Sequence, residues 1–301
     1  MKIGVFVTAG HPGSDRAYLE AAGRAAEKHG FDSLWVAEHV VLFDEYASRY
    51  PYAEDGRIPV RRDAGLIAPF TALAFLAAVT ERIRLGTGIC LVPQRNPLYT
   101  AREAADVDWL SGGRLDLGVG VGWLAEEFQA LGVPFERRGE RCRSYLGVMK
   151  RLWCDELSEY RDEFYTLPAC RQFPKPIQKP HPPIHFGGES DAALRRVADL
   201  GQGWYGFNLD PAALAERMAK LGELMAARGR GFSEIEISVS PYLRSFEPAM
   251  LDGYRQAGAQ QVILPVFGRS RDEMLQRLDK LAATVLEPAR ALDAGSGGAS
   301  V

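Results

Sequence analysis

The chain has 301 residues, of which 47% are hydrophobic and 25% are charged, with 36 basic against 39 acidic side chains. This near-balance excludes the basic surface that nucleic-acid or membrane-surface binding requires. The four cysteines form no CxxC pair, so neither a disulfide framework nor a metal site is expected. No apolar run is long enough to span a bilayer, so we expect a cytoplasmic protein that acts on a small molecule.

Short β-branched runs alternate with longer amphipathic stretches along the whole chain, which is typical of βα units around a parallel sheet. The predicted strands span residues 2–7, 33–37, 84–92, 114–119, 183–186, 203–205, 235–239 and 261–264. Eight such pairs favour closure of an α/β chain into a (β/α)₈ TIM barrel. We expect a single barrel domain over residues 1–293, followed by a Gly/Ser-rich tail over 294–301 that is disordered.

The second predicted strand ends in Glu38-His39, at the edge where barrel enzymes keep their catalytic residues. An imidazole can donate or accept a proton near neutral pH, although a histidine at a strand end can equally bond a backbone carbonyl. Adjacent strand residues point in opposite directions, so only one of the two can face a reacting group. We therefore take His39 as the candidate catalytic acid or base and Glu38 as its candidate catalytic support.

A long segment, residues 40–66, follows this strand and carries Tyr46, Tyr50, Tyr52 and Arg57. Connections that follow strands lie on the catalytic face of a barrel, so this segment is a candidate substrate wall or lid. A surface loop packed without function is an equally good interpretation of the same residues.

Two glycine-rich runs mark the third and fourth strands, LGTGI at 85–89 and GVGVGW at 118–123. The second run is not a dinucleotide fingerprint, because Trp123 takes the place of the third glycine and no helix follows directly. Alternating glycines remove side chains from one face of a strand, which lets a flat ring lie against the backbone. Close packing between neighbouring elements would call for the same glycines.

The sequence Gly187-Gly188-Glu189-Ser190 precedes a predicted helix that begins at Asp191. Glycines let the backbone approach an anion closely, and the free N–H groups of a helix start can bind phosphate together with the serine hydroxyl. A tight turn with Ser190 as the N-cap is the alternative. At the end of a late barrel strand, a phosphate site is the favoured interpretation.

Taken in chain order, the motifs resemble the luciferase-like monooxygenase superfamily over nearly the whole chain. They are FDSLWVAEH (31–39), LGTG (85–88), LSGGRL (110–115), GVGVGW (118–123) and GGES (187–190). Within that superfamily PQRNP (93–97), SGGRL (111–115) and GVGW (120–123) look closest to the branch of probable F420-dependent oxidoreductases. The resemblance implies a barrel of bacterial-luciferase type with insertions.

The resemblance also implies roles for particular residues. His39 faces the ring of the flavin or deazaflavin, and Gly88-Ile89 forms a non-prolyl cis peptide in a bulge beneath that ring. The cofactor phosphate lies in a backbone cradle at residues 187–190. The candidate cofactor-binding residues are His39, Thr87, Gly88, Ile89, Gly120, Val121, Gly122, Trp123, Gly187, Gly188, Glu189 and Ser190.

Two positions depart from relatives within the superfamily. Val121 stands where luciferase has an arginine for the flavin phosphate, which favours coenzyme F420 over FMN. Trp123 stands where deazaflavin-dependent glucose-6-phosphate dehydrogenases have a catalytic glutamate, so their mechanism does not transfer directly. We expect Trp123 to give an apolar wall to the ring or the substrate.

These observations predict an F420-dependent oxidoreductase that transfers a hydride between C5 of the deazaflavin and a small organic substrate. The alternatives are an FMN-dependent monooxygenase that uses molecular oxygen and a non-catalytic flavin- or deazaflavin-binding protein. No nucleic-acid or membrane partner is expected, and a homodimer is one option for the assembly. The identity of the substrate does not follow from any motif.

Overall fold

The computed structural model describes residues 1–286 and 288–290. Its strands are β1 (Lys2–Val7), β2 (Ser33–Val36), β3 (Arg84–Thr87), β4 (Leu115–Gly120), β5 (Ile184–Gly187), β6 (Gly203–Phe207), β7 (Glu236–Ser240) and β8 (Gln261–Val266). All neighbours are parallel, β8 pairs with β1, and the pairing of β4 with β5 completes the ring. The predicted eight-stranded barrel is confirmed, while the predicted tail at 294–301 lies outside the described residues.

Helices surround the barrel on its outer face. They are α1 (Arg16–His29), α2 (Pro69–Val79), α3 (Pro97–Ser111), α4 (Ala125–Ala130), α5 (Arg138–Cys154), α6 (Asp191–Leu200), α7 (Pro211–Ala226), α8 (Met250–Gln256) and α9 (Arg271–Leu281). None of the helices in the described part of the chain combines the length and apolarity needed to cross a membrane.

Local sequence signals account for several helix ends. Asp15 caps the start of α1, and Gly30 ends it with a φ of 87° that L side chains rarely adopt. Asp210 caps α7 directly before its first proline, and the Ser270 hydroxyl accepts the N–H of Glu273 at the start of α9. These caps fix where each helix leaves the barrel.

The third strand ends at Thr87 and is shorter than predicted, and the next peptide but one, between Gly88 and Ile89, is cis. The chain leaves β3 after Thr87 and then pairs again with β4 through Cys90–Leu91. The cis bond that the resemblance implies at Gly88-Ile89 is therefore present in a bulge at the carboxyl end of β3.

Two glycines lower in the barrel make room for Trp35, which is fully buried inside it. A Cβ on Gly86 would lie 2.3 Å from the Trp35 ring, and one on Gly118 would lie 1.8 Å from the Thr87 carbonyl oxygen. For these two positions close packing, rather than ligand approach, explains the glycine.

Two long connections add short antiparallel pairings outside the barrel strands. Residues 40–66 cross the carboxyl-terminal mouth, and Gly65–Leu66 at their end pairs antiparallel with Gly10–His11. The connection before β5 contains an antiparallel hairpin of Ser158–Arg161 and Thr166–Cys170. The mouth is therefore partly roofed, which encloses a cavity above the barrel core.

Candidate active site

A cavity of about 990 Å³ opens at the carboxyl ends of the strands. The predicted site residues that line it are Glu38, His39, Gly88, Ile89, Gly120, Val121, Gly122, Trp123, Gly187, Gly188 and Ser190. Of the predicted residues, all of which are described, only Thr87 and Glu189 are absent from its wall. The Thr87 hydroxyl is buried and donates to the Gly118 carbonyl at 2.6 Å. The fold thus brings nearly all predicted residues to one space.

His39 at this mouth is bonded to Glu127 of α4, a residue that the sequence did not single out. The imidazole Nδ1 lies 3.1 Å from Oε2 of Glu127, whose side chain has no solvent exposure. The same carboxylate accepts the N–H of Val40 at 2.7 Å and the Nε2 of Gln94 at 3.0 Å. Glu127 therefore fixes both the imidazole and the chain that leaves β2.

The charge of Glu127 decides which nitrogen of His39 carries the proton. Burial opposes ionisation of this carboxyl, but the hydrogen bonds from His39, Gln94 and Val40 outweigh it and hold its pKa below the ordinary value. An ionised carboxylate can only accept, so neutral His39 must donate through Nδ1. Its Nε2 is then left as the acceptor for a group in the cavity.

Glu38 binds elsewhere, although it precedes His39 in the chain. One carboxylate oxygen accepts the N–H of Leu91 at 2.6 Å, and the other pairs with Arg95. Arg95 in turn bonds Glu103 of α3. Glu38 thus positions the segment after β3, whereas the carboxylate that supports the imidazole belongs to Glu127.

The side chain of Ile89 occupies the space above β4 and β5. A Cβ on Gly120 would lie 1.9 Å from Ile89 Cδ1, and one on Gly187 would lie 2.9 Å from the same atom. These glycines therefore make room for the bulge residue. A flat ligand in the cavity would meet Ile89 at this point before it reached the glycine backbone.

The start of α6, together with Gly188, is the segment that the sequence predicts as the phosphate cradle. Gly188 has a φ of 100°, and its carbonyl accepts the indole N–H of Trp204 at 3.0 Å. Ser190 is the N-cap, since its Oγ accepts the N–H of Ala193 at 3.2 Å. The first N–H groups of a helix have no intrahelical acceptors, so those at residues 191 and 192 remain available to an anion.

Arg196 adds a positive charge to this cradle, although no sequence motif marks it. It lies two turns into α6, lines the cavity beside Ser190 and Ala193, and forms no salt bridge with any described residue. Positions 190, 193 and 196 share one helix face, which is the signal that could have identified it. The cavity wall therefore has a positively charged side chain from α6, whereas position 121 carries a valine.

Glu189 lies just behind the cradle and ties it to the roof of the cavity. Its carboxylate accepts the N–H of Phe207 at 2.7 Å and the hydroxyl of Tyr52 at 3.1 Å. Burial raises the pKa of Glu189 to about 7. The Tyr52 hydroxyl thus connects residues 40–66 to the segment that follows β5.

Aromatic rings form another part of the cavity wall. Trp123 packs edge-on against His39 at 5.9 Å between centroids and against Tyr50 at 5.1 Å. Tyr242, from the connection after β7, packs on Phe207 with centroids 4.3 Å apart. Residues 40–66 therefore contribute to the wall, as the lid hypothesis requires.

Comparison with known proteins agrees with this architecture. The family model of the luciferase-like monooxygenases matches residues 1–245, so the chain belongs to that family. Members of this family are oxidoreductases or monooxygenases, and the protein is an enzyme of that kind.

Particular relatives span almost the full length. An uncharacterised protein of Mycobacterium tuberculosis (strain ATCC 25618 / H37Rv) is 33% identical over 274 residues, covering 90% of this chain and 95% of that protein. Monooxygenase RslO1 from Streptomyces bottropensis has a TM-score of 0.76 at 22% identity and covers 95% and 99% of the two chains. The coenzyme F420-dependent tetrahydromethanopterin reductase from Methanopyrus kandleri has a TM-score of 0.75 at 16% identity, with 95% and 98% covered. At these identities the two structures establish the fold alone.

Proposed function

We propose that the protein is an F420-dependent oxidoreductase acting on a small organic substrate, in which His39 donates or accepts the accompanying proton. The observation that carries this proposal is one cavity onto which His39, the Gly88-Ile89 bulge and the start of α6 all open. The chemistry that F420 supplies when bound is hydride transfer at C5 of its deazaflavin ring.

The described residues fit such a cofactor at both ends of the cavity. The N–H groups at the start of α6 and the guanidinium of Arg196 would hold a phosphate. The hydroxyl of Tyr205 is buried beneath the bulge, lines the cavity and has no hydrogen-bond partner among the described residues. Such an orphan group is expected where a ligand completes the site.

The chain's own groups give the proton a defined path. Nε2 of His39 can accept a proton from the cavity or return one to it, because Nδ1 is held by Glu127. The carboxylate of Glu127 stabilises the imidazolium form that results, as a buried carboxylate does for a general base. Trp123 packs against His39 and Tyr50 packs against Trp123, so the two rings limit the access of water to this exchange.

One observation favours FMN-dependent monooxygenation as the second candidate. The absence of an arginine at Val121 argued against an FMN phosphate, but Arg196 supplies a cation to the same cradle. The phosphate site therefore suits either cofactor, and only the ring contacts remain to separate them.

Titration of the purified protein with F420 and with FMN, followed by the fluorescence of each cofactor, tests the proposal. Because the motifs at 93–97, 111–115 and 120–123 resemble the F420-dependent branch, we expect F420 to bind at least about tenfold more tightly than FMN, a difference of about 1.4 kcal/mol. Tight binding of FMN together with weak binding of F420 would replace the proposal with the monooxygenase.

Replacement of Gly188 by valine tests the cradle itself. A Cβ there would lie 3.1 Å from that of Ala193, and the backbone is in the left-handed region, so F420 affinity should fall strongly. Gly229→Val is the matched control, since Gly229 has a φ of 68° with open space around a Cβ. Equal F420 affinity in the two variants would show that the phosphate lies elsewhere.

Two adjacent arginines of α6 give a second matched pair. Arg196 lines the cavity and should contribute one charge-assisted bond to the phosphate, so Arg196→Gln should weaken F420 binding about tenfold. Arg195 is exposed outside the cavity, and Arg195→Gln should leave the dissociation constant unchanged. Equal effects of both variants would indicate general electrostatic attraction only.

A further inference from the structure

The mouth of the barrel divides into two chemically distinct halves. The ends of β3, β4 and β5 carry the bulge, the glycines and the phosphate cradle, whereas the ends of β1, β6, β7 and β8 carry aromatic rings. In this aromatic half Phe6 packs edge-on against Phe207, Tyr242 and Phe267, with centroids 6.1, 6.5 and 6.3 Å away. All four of these residues line the cavity. The proposed cofactor site leaves this half without an assigned ligand.

Tyr242 has an unusual backbone in this half. Its φ of 51° lies in the left-handed region, which a bulky L residue rarely adopts. Such conformations persist where the surrounding structure holds them, and they occur preferentially at ligand sites. The tilted contact of its ring with Phe207 is one contact that holds it.

The hydroxyl of Tyr242 is directed by Tyr50. The Tyr50 O–H donates to the Tyr242 oxygen at 3.1 Å, so the Tyr242 proton must point to a different acceptor. No described residue accepts that proton, and Tyr242 lines the cavity. Burial raises the pKa of Tyr242, which keeps this donor protonated at neutral pH.

The ring of Phe6 lies between the Gly88-Ile89 bulge and the ring of Tyr242. A Cβ on Gly88 would lie 3.5 Å from the Phe6 ring, and Phe6 in turn contacts Tyr242. The aromatic half therefore adjoins the bulge, which would bring a substrate bound there near a cofactor ring that rests on the bulge.

We propose that the aromatic half binds the substrate, and that the substrate is a flat, largely apolar carbonyl compound whose oxygen accepts the hydrogen bond of Tyr242. The rings bind the flat body of the substrate, and the hydroxyl selects for oxygen at one edge. This inference names the substrate class of the proposed oxidoreductase, and so it rests on the proposed function.

Two isosteric probes separate the contribution of the carbonyl from that of the flat body. 2-Acetylnaphthalene carries a carbonyl oxygen, and 2-isopropenylnaphthalene replaces that oxygen with a methylene group. Equilibrium dialysis would measure both dissociation constants, once with saturating oxidised F420 and once without cofactor. We expect the wild-type protein to bind the ketone about tenfold more tightly than the alkene, the factor that one hydrogen bond commonly gives.

The variants assign that preference to one hydroxyl. Tyr242→Phe should bring the ketone's dissociation constant to the value for the alkene, whose own constant stays unchanged. Tyr50→Phe should reduce the preference by a smaller factor, because the Tyr242 hydroxyl loses the donor that directs it. Tyr99→Phe, at an exposed position of α3, is the control and should keep the full preference.

The possible results separate this inference from the proposed function. Equal affinity for both probes in the wild type, a preference that survives Tyr242→Phe, or binding of neither probe would overturn the inference. Should Tyr242→Phe fail to fold, an unchanged preference in Tyr50→Phe would overturn it instead. A preference that depends on Tyr242 without cofactor, in a protein that does not bind F420, would uphold this subsite and reject the proposed function.

Discussion

The half-buried His39 and the buried His185 each stand beside a carboxylate, and of these two only His39 lines the cavity at the mouth. His39 bonds Glu127 at 3.1 Å at the mouth, whereas Nε2 of His185 lies 3.7 Å from Asp116 inside the barrel. His185 packs edge-on against Trp35, with centroids 5.7 Å apart. Of these two histidines, His39 lines the large cavity.

The two carboxylates also differ in what neutralises them. Arg84 donates to Asp116 at 2.8 Å, and burial of Asp116 is outweighed by His185 and Arg84, which lower the pKa of its carboxyl to about 2. Glu127 has no lysine or arginine partner among the described residues, and its donors are neutral apart from the imidazole. Its charge therefore remains available to stabilise a protonated His39, whereas that of Asp116 is already matched. We therefore propose that the pair at the mouth serves chemistry, whereas the pair inside the barrel serves stability.

Removal of the His39 imidazole should have the largest effect on turnover. Loss of a positioned acid or base commonly lowers the rate by about 10²- to 10⁴-fold, so His39→Ala should reduce turnover by that factor with F420 affinity nearly intact. Single-turnover oxidation of reduced F420, with menadione as the two-electron acceptor, would report the rate. Near-wild-type oxidation in this variant would assign the proton to another group.

Neutralisation of the Glu127 carboxylate should have the next largest effect on turnover. Glu127→Gln should lower turnover roughly 10- to 100-fold, since the protonated imidazole loses a nearby negative charge. Glu126→Gln is the comparison, because Glu126 bonds the N–H groups of Ala47 and Ser48 rather than His39. If both variants lowered turnover by the same factor, Glu127 would only anchor the loop.

Replacement of His185, inside the barrel, should lower stability and leave turnover nearly unchanged. His185→Gln removes one partner of a buried charge, so the melting temperature should fall by on the order of 5 °C. Turnover in the folded protein should stay within about threefold of wild type, because His185 lies apart from the described cavity wall. A large loss of turnover at unchanged stability would contradict the assignment of His185 to stability and His39 to chemistry.

Glu189 is a third carboxyl for comparison, one without a histidine partner. Its replacement should have the smallest effect of the four substitutions. Burial raises its pKa to about 7, so the folded state holds its proton more tightly than the unfolded state, where the ordinary value is 4.5. Its contribution to stability is present below pH 4.5 and is lost as the pH rises to about 7. The melting temperature of wild type relative to Glu189→Gln should therefore fall across that window, and a constant difference would contradict this assignment.

The sequence could predict the barrel and the residues of its strand ends because both depend on local pattern. The βα rhythm, the caps at Gly30 and Asp210, and the motif around His39 each lie within a few neighbouring residues. The partner of His39 could not be found in this way, since Glu127 is 88 positions away in the chain and meets the imidazole only through the fold. The glycines of β4 were ambiguous for the same reason, because only the structure shows that Ile89 fills the space above Gly120.

Nitrogen NMR of protein labelled at its five histidines tests the central claim, that His39 is oriented by Glu127 and faces the cofactor. His39→Ala and His185→Gln assign the two resonance pairs. At about pH 8 the account predicts that neutral His39 carries its proton on Nδ1, and that F420 shifts the Nε2 resonance of His39 while that of His185 stays unchanged. A proton on Nε2 of His39, or a shift at His185 with none at His39, would contradict it.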